Sequence, residues 1–183
     1  MINDFEIRGD ITAIFLDTKN YGRIETLIST NKLEMVKEFP YAWRAKWSED
    51  VENFYCVGYI NLDNNKKKII RLHRLIMNCP EDKIIDHFNH NTLDNTDSNL
   101  RIVSNAENQQ NRLVQKNNSS GVRGVYWHKH SQKWLARIQV YKERKIIGYY
   151  DSIEEAEFAI KEARAKYMPY SQEAFLKQER LFV

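Results

Sequence analysis

Short apolar runs predict a small β-rich region over residues 1–66. Each run is rich in β-branched or aromatic residues, as strands are. The run that begins at Ile11 lacks strict alternation, which predicts a strand buried on both faces. A short helix is predicted over 31–38, and residues 61–65 fit the turn of a hairpin. The predicted strands cover residues 11–15, 23–28, 54–60 and 68–72.

Residues 67–114 alternate between strand and helix signals and contain a long loop rich in Asn and Asp. Ser104 and Glu107 have the spacing of a capping box, which predicts that a helix opens there. The predicted elements are a helix over 73–77, strands at 84–85 and 100–103, and a helix from 105 to 113. The order is therefore strand, loop, strand, helix.

A polar stretch at 115–120 predicts a linker, and residues 121–170 predict a second domain. Ser152 and Glu155 have the spacing of a second capping box. Apolar residues then recur at helical spacing, and we interpret this stripe as a face that packs on a sheet. Residues 171–183 are assigned to a tail. The predicted strands are 124–128, 134–141 and 145–150, and the stripe consists of Ile153, Ala156, Ile160, Ala163 and Tyr167.

Composition argues against membrane, secreted and zinc-ribbon classes. No apolar run approaches the roughly 18 residues that span a bilayer. Residues 1–10 have neither the basic nor the apolar part of a secretory signal, so a cytoplasmic location is expected. Cys56 and Cys79 lie far apart, which excludes a cysteine-based zinc site and favours free thiols in a reducing compartment.

Positive charge is concentrated in one stretch, although the net charge is only +3. Residues 101–150 contain ten Lys or Arg and two acidic residues. The same stretch contains the aromatic residues Tyr126, Trp127, Trp134 and Tyr141. A surface that follows nucleic-acid phosphates has this character. The alternative is a solvated basic face without a partner.

Candidate chemistry lies in the polar loop and the elements that flank it. Asp86 and His87 lie together at a strand end, and Asn108 follows in the first turn of the next predicted helix. Carboxylate and amide oxygens suit Mg²⁺ or Mn²⁺, and a histidine can accept a proton near neutral pH. The alternatives are a surface turn for Asp86 and His87, and a local backbone cap for any single Asn.

The order of these motifs resembles the HNH endonucleases of phage and intron origin. The resemblance implies a ββα-metal fold, with His87 as the general base and Asn99 holding its ring. It implies that Asp86 and Asn108 bind one divalent ion, Mg²⁺ or Mn²⁺. The motifs are Leu72-His73-Arg74-Leu75-Ile76, Asp86-His87, Leu93-Asp94-Asn95, Ser98-Asn99-Leu100-Arg101 and Glu107-Asn108.

Four further residues matter to this resemblance. His73 and Asn95 match recurrent family positions, for which structural or phosphate-contacting roles are expected. Arg101 and Arg112 are candidates for phosphate contacts. His90 stands where relatives commonly have Gly, so strain is expected in the loop.

The C-terminal motifs resemble the DNA-binding domain of plant ethylene-response factors, a three-stranded sheet backed by one helix. They are Ser120-Gly121-Val122-Arg123-Gly124-Val125, Lys133-Trp134, Ile147-Gly148-Tyr149-Tyr150-Asp151 and Glu155-Ala156. The resemblance implies that Arg123, Tyr126, His128, Trp134, Arg137, Gln139, Arg144 and Ile146 face DNA. Arg123 and Arg137 are the candidates for base contacts, whereas core packing is the alternative for Trp134.

We therefore predict an α+β protein that is a metal-dependent DNA endonuclease of homing type. Its expected partner is double-stranded DNA, bound by a monomer in a bacterial or phage-infected cell, with no membrane and no small-molecule substrate. The HNH module is assigned to 67–114. A non-catalytic DNA-binding regulator is the alternative, and an RNA-processing nuclease is a third possibility.

Overall fold

The computed structural model describes residues 2–62, 66–141 and 143–179, and the chain divides into two compact units. Unit 1 is Met1–Val103 and unit 2 is Ser104–Val183. Small sheets and short helices make up both units, so the predicted α+β class is confirmed. Within the described ranges, no helix is both long and apolar enough to cross a bilayer.

Unit 1 is built on two sheets. In the first, the order is β1 (Phe5–Arg8), β2 (Ile11–Thr18), β3 (Gly22–Ser29) and β8 (Asp94–Asn95), with β8 parallel to β3. In the second, β4 (Arg44–Ser48), β5 (Asn53–Asn61) and β6 (Lys67–Arg71) are antiparallel. A separate pair consists of β7 (Ile84–His87) and β9 (Leu100–Val103). The helices are α1 (Leu33–Lys37), after a 3₁₀ turn at Thr30–Lys32, and α2 (Leu72–Ile76).

The core of unit 1 lies between the sheets and the two short helices. It includes Ile14 and Leu16 from β2, Val36 from α1, and Trp43, whose indole stacks on the Phe39 ring at 4.3 Å between centroids. Thr12, Ala13 and Ile14 are all fully buried, which confirms the prediction that β2 is covered on both faces.

Most predicted elements of unit 1 are confirmed, with small shifts at their ends. Strands β1, β4 and β8 are absent from the sequence-based prediction. All four residues of β1 are exposed, β4 alternates cations with small or aromatic residues, and β8 has only two residues. None of these patterns has the apolar content on which a strand prediction depends. The β5–β6 hairpin is confirmed by its register, whereas the centre of its predicted turn, residues 63–65, lies outside the described residues.

Unit 2 begins with α3 (Asn105–Asn108) and a 3₁₀ turn at Gln109–Asn111. The capping box of Ser104 and Glu107 is present in both directions. The helix predicted to reach Leu113 ends earlier, because Arg112 is extended.

The rest of unit 2 is an antiparallel sheet of β10 (Val125–His128), β11 (Lys133–Val140) and β12 (Glu143–Tyr150), covered by α4 (Ile153–Tyr167). The predicted stripe packs against this sheet as expected, with Ile160 fully buried. The Ser152 hydroxyl accepts from Glu155 N, which is the hydroxyl half of the predicted second cap. The segment assigned to a tail contains α5 (Gln172–Glu179), which packs on α4.

Candidate functional site

The β7–β9 ladder positions the predicted Asp86 and His87. Asp86 lies directly opposite Arg101, and His87 lies opposite Leu100. Only about 7% of Asp86 and 6% of His87 is exposed. A buried carboxylate needs a counter-charge, and here the Arg101 guanidinium donates to Asp86 Oδ2 while stacking 4.7 Å from the Phe88 ring centroid.

A chain of buried hydrogen bonds fixes the His87 ring. The Thr26 hydroxyl donates to Leu93 O at 2.7 Å, so it accepts from Asn95 Nδ2 at 2.8 Å. That bond turns Asn95 Oδ1 towards His87 Nε2, 3.2 Å away. Because a carboxamide oxygen only accepts, Nε2 carries the ring proton and the Nδ1 lone pair is left as the basic position.

Burial keeps this histidine neutral. Loss of solvent lowers the pKa of His87, against the opposing effects of the Asn95 hydrogen bond and the Asp86 and Asp94 carboxylates. The His73 ring packs edge-on against His87 at 5.1 Å between centroids, and Tyr55 packs edge-on against His73 at 5.5 Å. Burial, followed by repulsion from His87, lowers the pKa of His73 to about 3. A neutral imidazole is the form that a general base requires.

Asn99 contacts the loop rather than the ring. Its Oδ1 accepts from Asn89 N at 2.8 Å, and its Nδ2 donates to Asp94 O at 2.7 Å. The direct ring contact therefore belongs to Asn95, whereas Asn99, for which the resemblance implies that role, acts on His87 only through the loop. His90 has φ of 63°, in the left-handed region that glycine adopts without strain, and its N–H donates to His87 O.

Asn108, the second predicted ligand, is the last residue of α3 and belongs to unit 2, whereas Asp86 belongs to unit 1. No cluster of three His, Cys, Asp or Glu suited to a metal exists in the described part of the chain. A carboxylate and an amide still fit a divalent ion that keeps several waters or phosphate oxygens, as Mg²⁺ does. Their sharing of one ion stays a prediction.

The sheet of unit 2 presents most of the predicted DNA-facing residues on one face. Val125, Ala136 and Ile138 face α4. Residues that alternate with these face the other way, and the cross-strand pairs Arg137–Ile146 and Gln139–Arg144 share that face. The Arg137 guanidinium lies 4.7 Å from the Tyr126 ring centroid, as expected for neighbours on one face. The predicted DNA-facing residues that lie on this outer face are Tyr126, His128, Arg137, Gln139, Arg144 and Ile146.

Trp134 and Arg123 do not belong to this outer face. Trp134 packs against the core beneath α4 and contacts Trp127 edge-on, which matches the core-packing alternative. The Arg123 guanidinium donates to three backbone carbonyls, those of Gln109, Gln110 and Arg112, at 2.7–2.8 Å. These bonds connect Arg123 to residues 109–112, so its guanidinium has a structural role. Arg112 itself donates to Gln109 Oε1.

Comparison with known proteins matches the segment that contains these residues to a known family. Residues 72–110 match the HNH endonuclease family, and this segment includes Asp86, His87, Asn99 and Asn108. Over 59 residues, 32% of this chain, the sequence is 36% identical to Protein 3.8 of Escherichia phage T7. The matched region spans about half, 49%, of that relative's length. No solved structure matches the chain significantly.

The buried histidines predict a pH-dependent stability. His73 has a folded pKa of about 3 and an ordinary value of 6.5, so the unfolded state binds the extra proton as pH falls. This contribution to stability is complete above pH 6.5 and is lost between pH 6.5 and 3, at up to about 1.4 kcal/mol per pH unit. We expect His73→Phe to reduce the pH dependence of the free energy of unfolding from urea titrations at pH 4.5–7. Equal dependence in both proteins would contradict the assignment.

Arg123 predicts a stability effect where the resemblance implies a DNA contact. Arg123→Ala removes three charge-assisted bonds, so unit 2 should lose roughly 1–3 kcal/mol, with faster hydrogen exchange at residues 109–112. Arg137→Ala, on the exposed outer face, is the matched control and should leave exchange unchanged. If Arg123→Ala weakens only DNA binding and not exchange protection, Arg123 is a DNA contact after all.

Proposed function

We propose that the chain is a metal-dependent HNH endonuclease of the homing type that hydrolyses duplex DNA as a monomer. The observation that carries this proposal is His87, a buried neutral imidazole with a fixed tautomer beside a buried carboxylate. The HNH family match over 72–110 supports the same assignment. In this proposal β7, β9 and α3 are the two strands and the helix of a ββα-metal module.

The proposed chemistry uses the protein's own groups as follows. His87 Nδ1 accepts a proton from a water molecule whose oxygen attacks the phosphorus, and the bond from phosphorus to the leaving oxygen breaks. Asp86 and Asn108 would hold one Mg²⁺ or Mn²⁺, which when bound stabilises charge on the phosphate and the leaving oxygen. Asn95 keeps the proton on Nε2, so Nδ1 is the ring nitrogen whose lone pair can accept a proton.

Recognition is assigned to the outer face of the unit 2 sheet. Arg137 and Arg144 can pair bidentately with guanine in a major groove, and Gln139 can pair with adenine. Tyr126 and Ile146 are 43% and 58% exposed, which is high for an aromatic and an aliphatic side chain in a sheet. The ethylene-response-factor resemblance supports this use of the face. The proposed contact set does not include Arg123 and Trp134. The Arg123 guanidinium donates to backbone carbonyls, and Trp134 packs against the core.

A non-catalytic DNA-binding regulator is the second candidate. The Asp86–Arg101 ion pair favours it, because a guanidinium already occupies one side of the carboxylate that would hold the ion. The unit 2 sheet would then bind DNA without any cleavage.

Plasmid nicking separates the two functions. The wild-type chain should nick or linearise supercoiled plasmid with Mg²⁺ or Mn²⁺ and not with chelator. His87→Ala should reduce the cleavage rate by roughly 10²–10⁴-fold, since a general base contributes that much, while gel-shift binding is kept. His130→Ala, an exposed histidine in unit 2, is the control and should cleave normally. Binding without cleavage under either metal would support the regulator instead.

Asn95 predicts a shift in the pH profile of cleavage. In Asn95→Asp a carboxylate would accept the Nε2 proton bond and stabilise the imidazolium, so the pKa of His87 rises. The base is then protonated at higher pH, and the acid limb of the cleavage profile should move upward. Asn99→Asp lacks the ring contact and is the matched control. A profile that moves only in Asn99→Asp would return the orienting role to Asn99.

A further inference from the structure

In the second sheet of unit 1, exposed cations that form no ion pair with any described residue are concentrated on one face. Cys56, Ala45, Ile60 and Ile70 point into the core. The alternating positions face the other way, and the register aligns Arg44, Val57 and Arg71 in one row, in which both arginines are exposed and Val57 between them is buried. Lys46 lies opposite Tyr55, and Lys67 lies opposite Asn61, on the same face. We name Arg44, Lys46, Lys67 and Arg71 the β4–β6 basic face.

The cations of this face differ from those of the other sheet in their partners. Among the described residues, the four side chains of the β4–β6 basic face form no ion pair. By contrast, Arg8 and Arg23 on the first sheet each contact two carboxylates. Lys32 pairs with Asp97, and Lys37 pairs with Glu34. Within the described strands, no acidic residue lies on the basic face, and the acidic β4–β5 turn bounds it at one end.

This face adjoins the candidate base through Tyr55. The Arg71 guanidinium lies 5.7 Å from the Tyr55 ring centroid, and that ring lies 5.5 Å from His73 and 6.1 Å from His87. All of these residues belong to unit 1. Cations without an ion-pair partner attract phosphates, and contacts that hold the DNA backbone next to the reacting groups favour cleavage.

We infer that the β4–β6 basic face binds the phosphate backbone of duplex DNA next to the cleavage site. The inference rests on the proposed function, in that His87 is taken to mark the cleavage site. Neighbouring strands are about 4.8 Å apart, so Arg44 and Arg71 are roughly 10 Å apart across the sheet, within reach of successive phosphates of one strand. The face supplies affinity without sequence preference, since phosphates carry no base information.

The salt dependence of DNA binding tests this role in the full-length chain. The probe is a fluorescent 30-base-pair duplex of random sequence, titrated in chelator at several salt concentrations. Each phosphate contact contributes about 1 to the slope of log K against log salt. Lys67→Gln should therefore lower the slope by about 1, and Arg44→Gln/Lys46→Gln should lower it by about 2.

Matched controls remove the same charge elsewhere in unit 1. Lys68→Gln lies on the same strand but on the opposite face, and Lys32→Gln/Lys37→Gln removes two paired cations. Neither control should change the slope. If Lys67→Gln and Lys68→Gln have equal effects, or if no substitution on the basic face lowers the slope, the inference is overturned.

Cleavage assays on the same variants distinguish this inference from the proposed function. If the chain cleaves plasmid and every variant keeps the wild-type salt slope, the inference about the basic face is overturned and the proposed nuclease function stands. Lower slopes in a chain that never cleaves would leave the face as a DNA-binding surface and overturn the nuclease.

Discussion

The buried hydrogen-bond chain from Leu93 through Thr26 and Asn95 to His87 is the constraint on which the site depends. Thr26 and Asn95 are 0% and 1% exposed, so neither can exchange its partner for water. Buried polar groups of this kind are costly when unpaired, so each hydrogen bond in the chain stabilises the position of the next group. The parallel pairing of β8 with β3 belongs to the same arrangement, because it brings Asn95 next to Thr26. The sheet and the candidate base are therefore held by the same bonds.

Burial favours the neutral form of the two histidines but disfavours the charged form of Asp86. The aromatic packing of Tyr55, His73 and His87 excludes water and lowers the pKa of both histidines, which favours the neutral base. The same exclusion would destabilise an isolated Asp86 carboxylate, so Arg101 must lie opposite it. A single buried environment thus requires one neutral base and one compensated anion.

The α+β class and most of the strands and helices could be predicted from sequence, because apolar periodicity and capping motifs are local properties. The individual contacts could not. Asn95 and Asn99 lie in the same polar loop, and only the pairing of β8 with β3 determines that Asn95 reaches the ring. Arg123 and Arg137 lie in the same basic stretch, yet one binds backbone carbonyls and the other stacks on an exposed tyrosine. Residues with a structural role and residues on a candidate binding surface have similar charge and spacing along the chain. Only the pairing of strands and loops in the folded protein distinguishes the two roles.

The Asp86–Arg101 pair also bears on how an ion would bind. Removing the partner of a buried charge is strongly unfavourable, and the Arg101 guanidinium compensates the Asp86 carboxylate when no ion is bound. A divalent ion bound by Asp86 would bring a second positive charge close to the guanidinium, and repulsion between the two would weaken its affinity. The anionic phosphate of DNA would offset that repulsion when it arrives. In the proposed nuclease, ion and DNA binding would therefore be mutually favourable, and Arg101 would couple them.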